Sequence, residues 1–316
     1  MGATVWRIGQ GDRGVALLVV LLITGLATVL AVALVSSQQL EIRRTANVLD
    51  SGQAFWLARG VEDFAIQVLV QDKKDGKTDN LGENWAQGLF PTQVEGGVVS
   101  GNLEDMQGRF NLNNLAAKNV PFRDATRKQM GRLLQHCEVD AEVAQAVEDW
   151  IDADIDPQFP AGAEDESYSG REPAYRTANR YMASPSELLL VNGISPEAFR
   201  CLEPLVCTLP DASYINVNTA PAGVLAALAE EDRLGITVAQ ELVENRGEAG
   251  YASVADFLKA ANLKAADVSQ EFLSVSSDYF LAHINVQVGN GTVYLKSLLH
   301  RKETRVEVIR RTIGVQ

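Results

Sequence analysis

Cysteine, histidine and cationic residues are scarce in this 316-residue sequence. Three cysteines and three scattered histidines do not form the spacing of a zinc site. Lys and Arg number 28 against 41 Asp and Glu, which gives a formal net charge of -13. Proteins that bind nucleic acid or an anionic membrane surface need the opposite balance, so the composition disfavours both functions.

The three cysteines, Cys137, Cys201 and Cys207, allow three single disulfides, and the sequence does not choose rigorously among them. Cys201 and Cys207 are close enough to clip one short loop in an oxidising compartment, and this is the pairing that we name as an expectation. Cys137 would then be a buried, small apolar residue.

One long apolar run lies near the N-terminus. Residues 15–35 are twenty-one residues without a charge, enough for a helix of about 30 Å, the thickness of the hydrocarbon core. A cleaved signal peptide has a shorter apolar region that ends at a small-residue cleavage site, and a core helix has a polar face. The run therefore predicts a transmembrane segment, although the flanking arginines do not decide its orientation.

An amphipathic helix is predicted to continue from this segment. Leu57, Val61, Phe64 and Val68 recur at helical spacing, and no proline interrupts the pattern. A helix from Val15 to about residue 71 would be roughly 85 Å long. We expect its first half to lie in lipid and its second half to pack on a soluble body.

Strands are predicted on both sides of a long helical stretch. Residues 96–114 are short apolar pieces broken by Gly and Asn, and residues 280–288 and 293–299 flank Gly289-Asn290-Gly291 as a hairpin would. Residues 305–313 alternate again and predict a third strand. This order favours an inserted α-helical domain, with two domains in series as the competing layout.

The helical stretch contains an imperfect repeat that resembles helix-hairpin-helix DNA-binding modules. One copy begins at Ser184-Pro185 and the other at Thr219-Ala220-Pro221, and each leads through a helix to a glycine turn. Residues 230–232 before the second turn are all acidic, and Thr237 replaces a glycine that close approach to phosphate requires. We therefore expect a protein-contact domain and no nucleic acid.

The negative charge is concentrated in residues 133–170, which contain eleven acidic residues and no Lys or Arg. Crowded carboxylates repel one another by about 1 kcal/mol per close surface pair, and a hard cation relieves the repulsion. Calcium suits a flexible loop because it accepts about six to eight oxygen ligands. An EF-hand does not fit, since Pro157 and Ala163 stand where Gly and Glu are needed. A solvated acidic loop without metal is the alternative.

Several motifs together resemble the K-type minor pseudopilins of the bacterial type II secretion system (general secretion pathway protein K), over nearly the whole chain. They are Arg13-Gly14 before the apolar run, EDMQGRFNLNNL at 104–115, DWID at 149–152, GAED at 162–165, YRTAN at 175–179, SEL at 186–188 and INVNTA at 215–220. The Pro173-Ala174-Tyr175 sequence departs from the direct Pro-Tyr pairing of the family.

This resemblance implies a processed, membrane-anchored protein. Prepilin peptidase would cut between Gly14 and Val15 on the cytoplasmic face, and Val15 would become the N-methylated first residue. Most pilin-like subunits carry Glu at the fifth mature position, which here is Val19. A Glu in hydrocarbon is costly unless it is paired, so its absence fits a subunit at the tip. The implied location is the inner membrane, single-pass, with the soluble domain in the periplasm.

The resemblance also implies a calcium-binding segment and a set of partners. The expected ligands are Asp152, Asp154, Glu164, Asp165 and Asn179, with Asp149, Asp156 and Glu187 in reserve. The expected partners are minor pseudopilins of the I and J types, with the H type as a further candidate. The expected function is to cap the tip of the pseudopilus and to help initiate its assembly for protein export across the outer membrane.

The expected fold is α+β, with a long N-terminal transmembrane and stem helix on a pilin-like antiparallel sheet that a large inserted α-helical domain interrupts. The expected divisions are a leader (1–14), a transmembrane segment (15–36), an amphipathic stem (37–71), the first part of the body (72–115), the inserted domain with two helix-hairpin-like units (116–272) and the C-terminal strands (273–316).

An enzyme is the other class of function. The sequence has no nucleophile elbow, P-loop, glycine-rich dinucleotide turn or metal-ligating histidine pair. Aromatic residues make up 7% of the chain, and none cluster around the acids as a sugar-binding platform would. We expect no enzymatic activity. Because glycoside chemistry needs only two well-separated carboxylates, a membrane-anchored periplasmic carboxylate-dependent hydrolase is the alternative.

Overall fold

The computed structural model describes residues 12–264, 267–268 and 272–314, with side chains from residue 15 onward. The expected leader therefore lies outside the described residues up to position 11. The helices after the first are α2 Val120–His136, α3 Val143–Ile151, α4 Asp165–Ser169, α5 Pro196–Leu202, α6 Ala222–Ala226, α7 Ile236–Arg246 and α8 Val254–Ala260. The strands are β1 Leu89–Val94, β2 Gly97–Asp105, β3 Phe110–Asn111, β4 Val206–Cys207, β5 Ile215–Asn216, β6 Leu273–Ser274, β7 Tyr279–Val288, β8 Gly291–Arg301 and β9 Val306–Gly314.

The first helix, α1 (Asp12–Asp75), is one continuous element of 64 residues, roughly 95 Å long. Residues 15–49 are exposed along its first half, where an 18-residue window has a mean hydropathy of 2.9. By length and composition this part of the helix can cross a membrane. Gly76 ends the helix, and its N–H donates to the carbonyl of Asp72 at 3.0 Å.

The second half of α1 packs on the sheet through small residues, and the predicted contact face is wrong in detail. The buried positions are Ala54, Ala58, Glu62, Ala65 and Leu69, whereas the predicted Phe64 is 56% exposed. Alanines let the sheet approach the helix backbone closely. The face of α1 that contacts the sheet is therefore displaced by one residue from the predicted face. The larger residues predicted for the core, such as Leu57 and Val61, lie half-buried along its flank.

The sheet confirms the predicted α+β fold and contradicts the serial layout. Its order is β1-β2-β7-β8-β9, with antiparallel pairing throughout. β2 precedes the helical residues and β7 follows them, yet the two pair from Val98 with Gln287 to Asp105 with Phe280. The helical part is therefore an insertion between neighbouring strands of one sheet.

The inserted domain lies at the end of the body that is farthest from the apolar half of α1. At the near end, the β7–β8 turn meets α1, where the N–H of Asn290 donates to Asp50 at 3.3 Å. At the far end, Arg301 pairs with Asp72, in the last turn of α1, at 2.6 Å. The chain leaves the sheet at Asp105 and re-enters it at Tyr279, both at this far end.

The disulfide joins Cys137 to Cys201, so the expected pairing of Cys201 with Cys207 is wrong. Cys137 ends α2 and Cys201 lies on α5, and their Cα atoms are 5.7 Å apart. Cys207 lies instead in β4, where its thiol donates to the carbonyl of Met106 at 3.2 Å. Burial raises the pKa of this thiol well above its usual range, so Cys207 is an inert core residue.

The inserted domain contains two matched units. In the first, the side-chain amide of Asn113 accepts from the N–H of Met182 at 2.8 Å and donates to the carbonyl of the same residue at 3.1 Å. In the second, Asn218 makes the same pair of bonds with Tyr251, at 2.7 and 3.0 Å. We call each pair an asparagine clamp.

The elements around the clamps correspond as well. Asn111 and Asn216, two residues before the clamp asparagines, begin each unit in a short parallel strand pair. Ala-Ser follows each clamped residue, and Ser184 and Ser253 cap the next helical turn. Ser184 therefore corresponds to Ser253, and the predicted repeat that matched it with Thr219 is wrong.

Candidate metal centre

The candidate site lies in a loop that leaves the C-terminus of α3. The apolar side of α3 is buried, and Asp152 ends the helix with its N–H donating to Glu148 at 2.9 Å. The loop runs over residues 152–181, contains the short helix α4 and returns to the clamp at Met182. We call this segment the acidic loop.

Three carboxylates of the acidic loop come together. One oxygen each from Asp152, Asp154 and Glu164 lies within 4.8 Å of the others. Burial, followed by the charges of Asp154 and Asp149, raises the pKa of Asp152 to about 7. Burial also raises the pKa of Glu164, although the hydrogen bond from Thr177 opposes that shift. Three like charges held this close favour the binding of a cation.

Unpaired oxygens mark the same place. Among the described residues, Asp152 Oδ1, Glu164 Oε1 and Asn179 Oδ1 are buried and have no hydrogen-bond partner. A buried polar atom without a partner costs about 1–3 kcal/mol, so such atoms concentrate where a ligand or water completes the site. Asn179 is fixed across the loop because its side-chain nitrogen donates to the carbonyl of Asp154 at 2.9 Å.

Asp149, a reserve ligand in the sequence analysis, holds the loop in place through hydrogen bonds from the loop backbone. Its fully buried carboxylate accepts from the N–H of Ala163 at 2.7 Å and from that of Gln158 at 3.2 Å. A Cβ on Gly162 would lie 2.3 Å from the same carboxylate, so only glycine allows this close approach. Asp149 thus closes the loop around the three grouped carboxylates.

The remaining predicted ligands lie outside the grouped oxygens. Asp165 accepts from the N–H and hydroxyl of Thr177 at 3.1 and 2.9 Å. The carboxylate of Glu187 caps the turn that follows the loop, accepting from Ala183 at 2.6 Å. Asp156 is exposed, and its N–H donates to the side chain of Asp154 at 3.0 Å.

Several aromatic side chains of the acidic loop and of α3 pack against one another. Tyr168 is fully buried and packs edge-on against Trp150, with ring centroids 5.4 Å apart. Tyr175 lies 5.3 Å from Tyr168, and Arg171 stacks over Tyr168 at 5.1 Å. These rings are packing residues, and the most buried of them do not offer an open platform for a sugar.

A second carboxylate group was not found from the sequence. Oxygens of Asp72, Asp79 and Glu83 lie within 4.8 Å of one another. The guanidinium of Arg301 supplies the positive charge there, at 2.6 Å from Asp72 and 2.5 Å from Asp79. Arg301 is far away in the chain, so no local pattern signals this ion pair.

The group in the acidic loop fits a hard cation. Its grouped ligands are carboxylate oxygens, the unpaired amide oxygen of Asn179 belongs to the same loop, and no soft nitrogen or sulfur ligand belongs to the group. Oxygen ligands on a loop, with one member exposed to solvent, match the flexible coordination of calcium better than the strict octahedron of magnesium.

Comparison with known proteins gives matches over nearly the whole chain. Two family models, both described as type II secretion system (T2SS), protein K, match residues 108–211 and 215–276. A protein of Pseudomonas aeruginosa named type II secretion system protein K is 37% identical over 317 residues, which cover 96% of this chain and 94% of the relative. A protein of Aeromonas hydrophila with the same name is 35% identical and is covered to 97% of its length.

A solved structure matches the fold. It is the crystal structure of the GspK-GspI-GspJ complex from the enterotoxigenic Escherichia coli type 2 secretion system. One chain of it superposes with a TM-score of 0.76 at 28% identity, covering 86% of this chain and 100% of that chain.

Proposed function

The chain belongs to the type II secretion system protein K family, and we propose that this minor pseudopilin caps the tip of the pseudopilus and helps to initiate its assembly for protein export. The observation that carries this proposal is the place of the inserted domain. It stands beyond the last turn of α1, at the end of the body opposite the apolar segment. A domain there blocks stacking of another subunit on top and leaves the stem free to pack against subunits below.

We propose a single-pass anchor in the inner membrane with the body in the periplasm. The exposed, uncharged first half of α1 supports a membrane location. We also propose that prepilin peptidase cleaves between Gly14 and Val15 and that Val15 is methylated, which the resemblance of Arg13-Gly14 before the apolar run to a prepilin leader supports. Replacing Gly14 by Glu should leave the leader uncut and trap the protein in the membrane. N-terminal sequencing and gel mobility would show this, with Ala16→Gly as the control, and normal processing of the Gly14 variant would contradict the proposal.

We propose that subunits of the I and J types bind the stem and body. The solved complex supports this, since it contains I- and J-type subunits together with a K-type chain. The H type is a further candidate partner. Val19 supports the tip position, because a Glu there has no subunit above with which to pair. Replacing Val19 by Glu should leave membrane insertion intact but lower pseudopilus initiation, whereas Val19→Leu should change neither.

We propose that the acidic loop binds calcium through Asp152, Asp154, Glu164 and Asn179. Asp165 orders the loop by accepting from the hydroxyl of Thr177, and Asp149 orders it by accepting from the N–H of Ala163. Bound calcium would neutralise the three carboxylates and connect the two ends of the loop. The role is structural, and we propose no catalysis. The hydrolase alternative finds no support in the comparisons, and the buried rings of Trp150 and Tyr168 do not form an open sugar platform.

Copurification tests the assembly role. The full chain, extracted in mild detergent, should bring down the I- and J-type subunits of the same system. We expect this complex in the presence of calcium and also after chelation. Failure to associate with either subunit, in both conditions, would contradict the proposed function.

A further inference from the structure

The two matched units differ most in the length of the connection between a helix and its asparagine clamp. In the second unit, α7 ends at Arg246 and residues 247–250 lead directly to Tyr251. In the first, α3 ends at Ile151 and thirty residues, 152–181, precede Met182. The two helices share Val-Ala-Gln, at 143–145 and 238–240, in the same place before their ends. The acidic loop is therefore an addition to a unit that four residues are enough to close.

The added segment contains all the unpaired oxygens of the candidate metal centre. Asp152 is its first residue, Glu164 lies in its middle and Asn179 is near its end. The second unit has no such loop. Arg246 lies at the corresponding end of α7, and its guanidinium donates to the carbonyls of Val217 and Ala220 at 2.8 Å each. A unit of this kind can thus close without a metal-binding loop, which points to a task for the added loop outside the domain.

The outer part of the loop presents apolar side chains to solvent. Phe159 is 93% exposed and Ile155 is 71% exposed. Their segment is not loose, because the N–H groups of Gln158 and Ala163 bind Asp149 and the N–H of Ala161 donates to Gln145 at 2.8 Å. An anchored loop that holds a phenylalanine in water is typical of a binding surface, since its burial by a partner is favourable.

The charge around these side chains determines the kind of partner. Residues 152–170 of the loop contain six acidic residues and no Lys or Arg, and Asp154 and Asp156 flank Ile155 directly. The three arginines of the loop follow after residue 170, and one of them, Arg176, pairs with Asp165 at 3.6 Å. Anionic lipid would be repelled, and so would an acidic protein. A protein surface with an apolar depression and a rim of Lys and Arg is complementary in both respects.

We propose that the acidic loop is a docking element, in which Ile155 and Phe159 enter an apolar, basic-rimmed pocket on a protein that the pseudopilus tip meets. The proposal rests on the proposed tip position. Calcium bound at the base of the loop would fix the outer segment in its docking conformation.

A photoreactive benzophenone amino acid at position 159 of the full chain, in cells with the complete secretion system, tests the contact. We expect a cross-link to a protein, and mapping should place it in an apolar depression flanked by Lys or Arg. The same amino acid at position 90, which is also exposed but lies on β1 of the body, should not give this product. A cross-link to phospholipid, to an acidic surface or to no protein would overturn the proposal.

Two variants separate docking from assembly. Ile155→Ser with Phe159→Ser should weaken docking by about 100-fold or more, since two buried apolar side chains are lost, and should lower secretion accordingly. It should keep its melting temperature, calcium binding and copurification with the I- and J-type subunits. Val238→Ser, which changes an exposed apolar residue on α7 outside the acidic loop, is the control and should secrete normally. Normal secretion by the double variant would overturn the docking proposal and leave the tip function untouched.

Replacement of residues 152–181 by the four-residue connection of the second unit, 247–250, provides the complementary test. This variant should fold, assemble with the I- and J-type subunits and lose both calcium binding and secretion. If it cannot assemble, the loop is part of the scaffold and the docking proposal is wrong. Retained assembly together with normal secretion would also overturn it.

Discussion

Replacement of Asp152 by Asn gives the sharpest test of the metal centre, because this side chain connects charge, burial and pH. Its pKa is raised to about 7 by burial and by the neighbouring carboxylates. A raised pKa in the folded state means that the protonated form is favoured, so the metal-free protein should gain stability as the pH falls from 8 towards 5. Calcium needs the ionised form and should therefore bind less well over the same range.

The expected magnitudes follow from this linkage. Below pH 7, the release of one proton on binding weakens the apparent calcium affinity by up to about tenfold per pH unit. Calcium at 100 times its dissociation constant stabilises the fold by about 2.7 kcal/mol, which raises the melting temperature of a domain of this size by roughly 5–10 °C. The increase should be full at pH 8 and much smaller at pH 6.

Thermal unfolding and calorimetric titration of the purified chain, with calcium or chelator at pH 6, 7 and 8, measure these quantities. Asp152→Asn should weaken calcium binding by about 10- to 100-fold, or about 1.4–2.8 kcal/mol, and should remove most of its pH dependence. Glu166→Gln, which changes an exposed acid of α4 outside the grouped carboxylates, is the control and should behave like the native chain. An equal calcium effect at pH 6 and pH 8, or the same pH dependence in Asp152→Asn, would refute the reasoning.

Two further predictions concern the loop and the disulfide. Gly162→Ala should abolish calcium binding and destabilise the domain by about 2–4 kcal/mol, because the new Cβ would clash with the Asp149 carboxylate at 2.3 Å. Gly170→Ala, with nothing within 4 Å of its Cβ, should be neutral in the same melts. Cys137→Ala should lower stability by about 2–4 kcal/mol and leave two titratable thiols after denaturation, whereas Cys207→Ala should keep the disulfide. A destabilised Gly170 variant, or a disulfide that survives Cys137→Ala, would contradict these predictions.

Local patterns in the sequence were sufficient for the elements of the fold. An uncharged run of membrane length predicts the first half of α1, and period-two alternation predicts the β7–β8 hairpin. Strands on both sides of a helical stretch favour an inserted domain, which the pairing of β2 with β7 confirms. These predictions succeed because each depends on residues that are close together in the chain.

Roles that depend on distant neighbours could not be read in this way. Cys201 lies six positions from Cys207 in sequence, but α5 directs it to the end of α2, where Cys137 is its partner. The contact face of α1 moved because the sheet selects small residues over large ones. Asp149 and Asp152 look equivalent in the sequence. In the folded loop, Asp149 accepts from two backbone N–H groups, whereas one oxygen of Asp152 has no hydrogen-bond partner.

The difference in loop length predicts that calcium binding offsets the free-energy cost of closing the longer loop. Lengthening a connection from four to thirty residues raises its closure cost by about 1.8 kcal/mol if the loop is flexible. The hydrogen bonds to Asp149 offset part of that cost, but grouping three carboxylates adds repulsion to it. Calcium at 100 times its dissociation constant contributes about 2.7 kcal/mol, which is enough to exceed the added closure cost. The second unit has a short connection and a buried Arg246 at the same helix end, so it needs no metal. On this reasoning, chelation should loosen the first unit while the second keeps its order, and amide hydrogen exchange would distinguish the two by faster exchange at Ala163 but not at Tyr251.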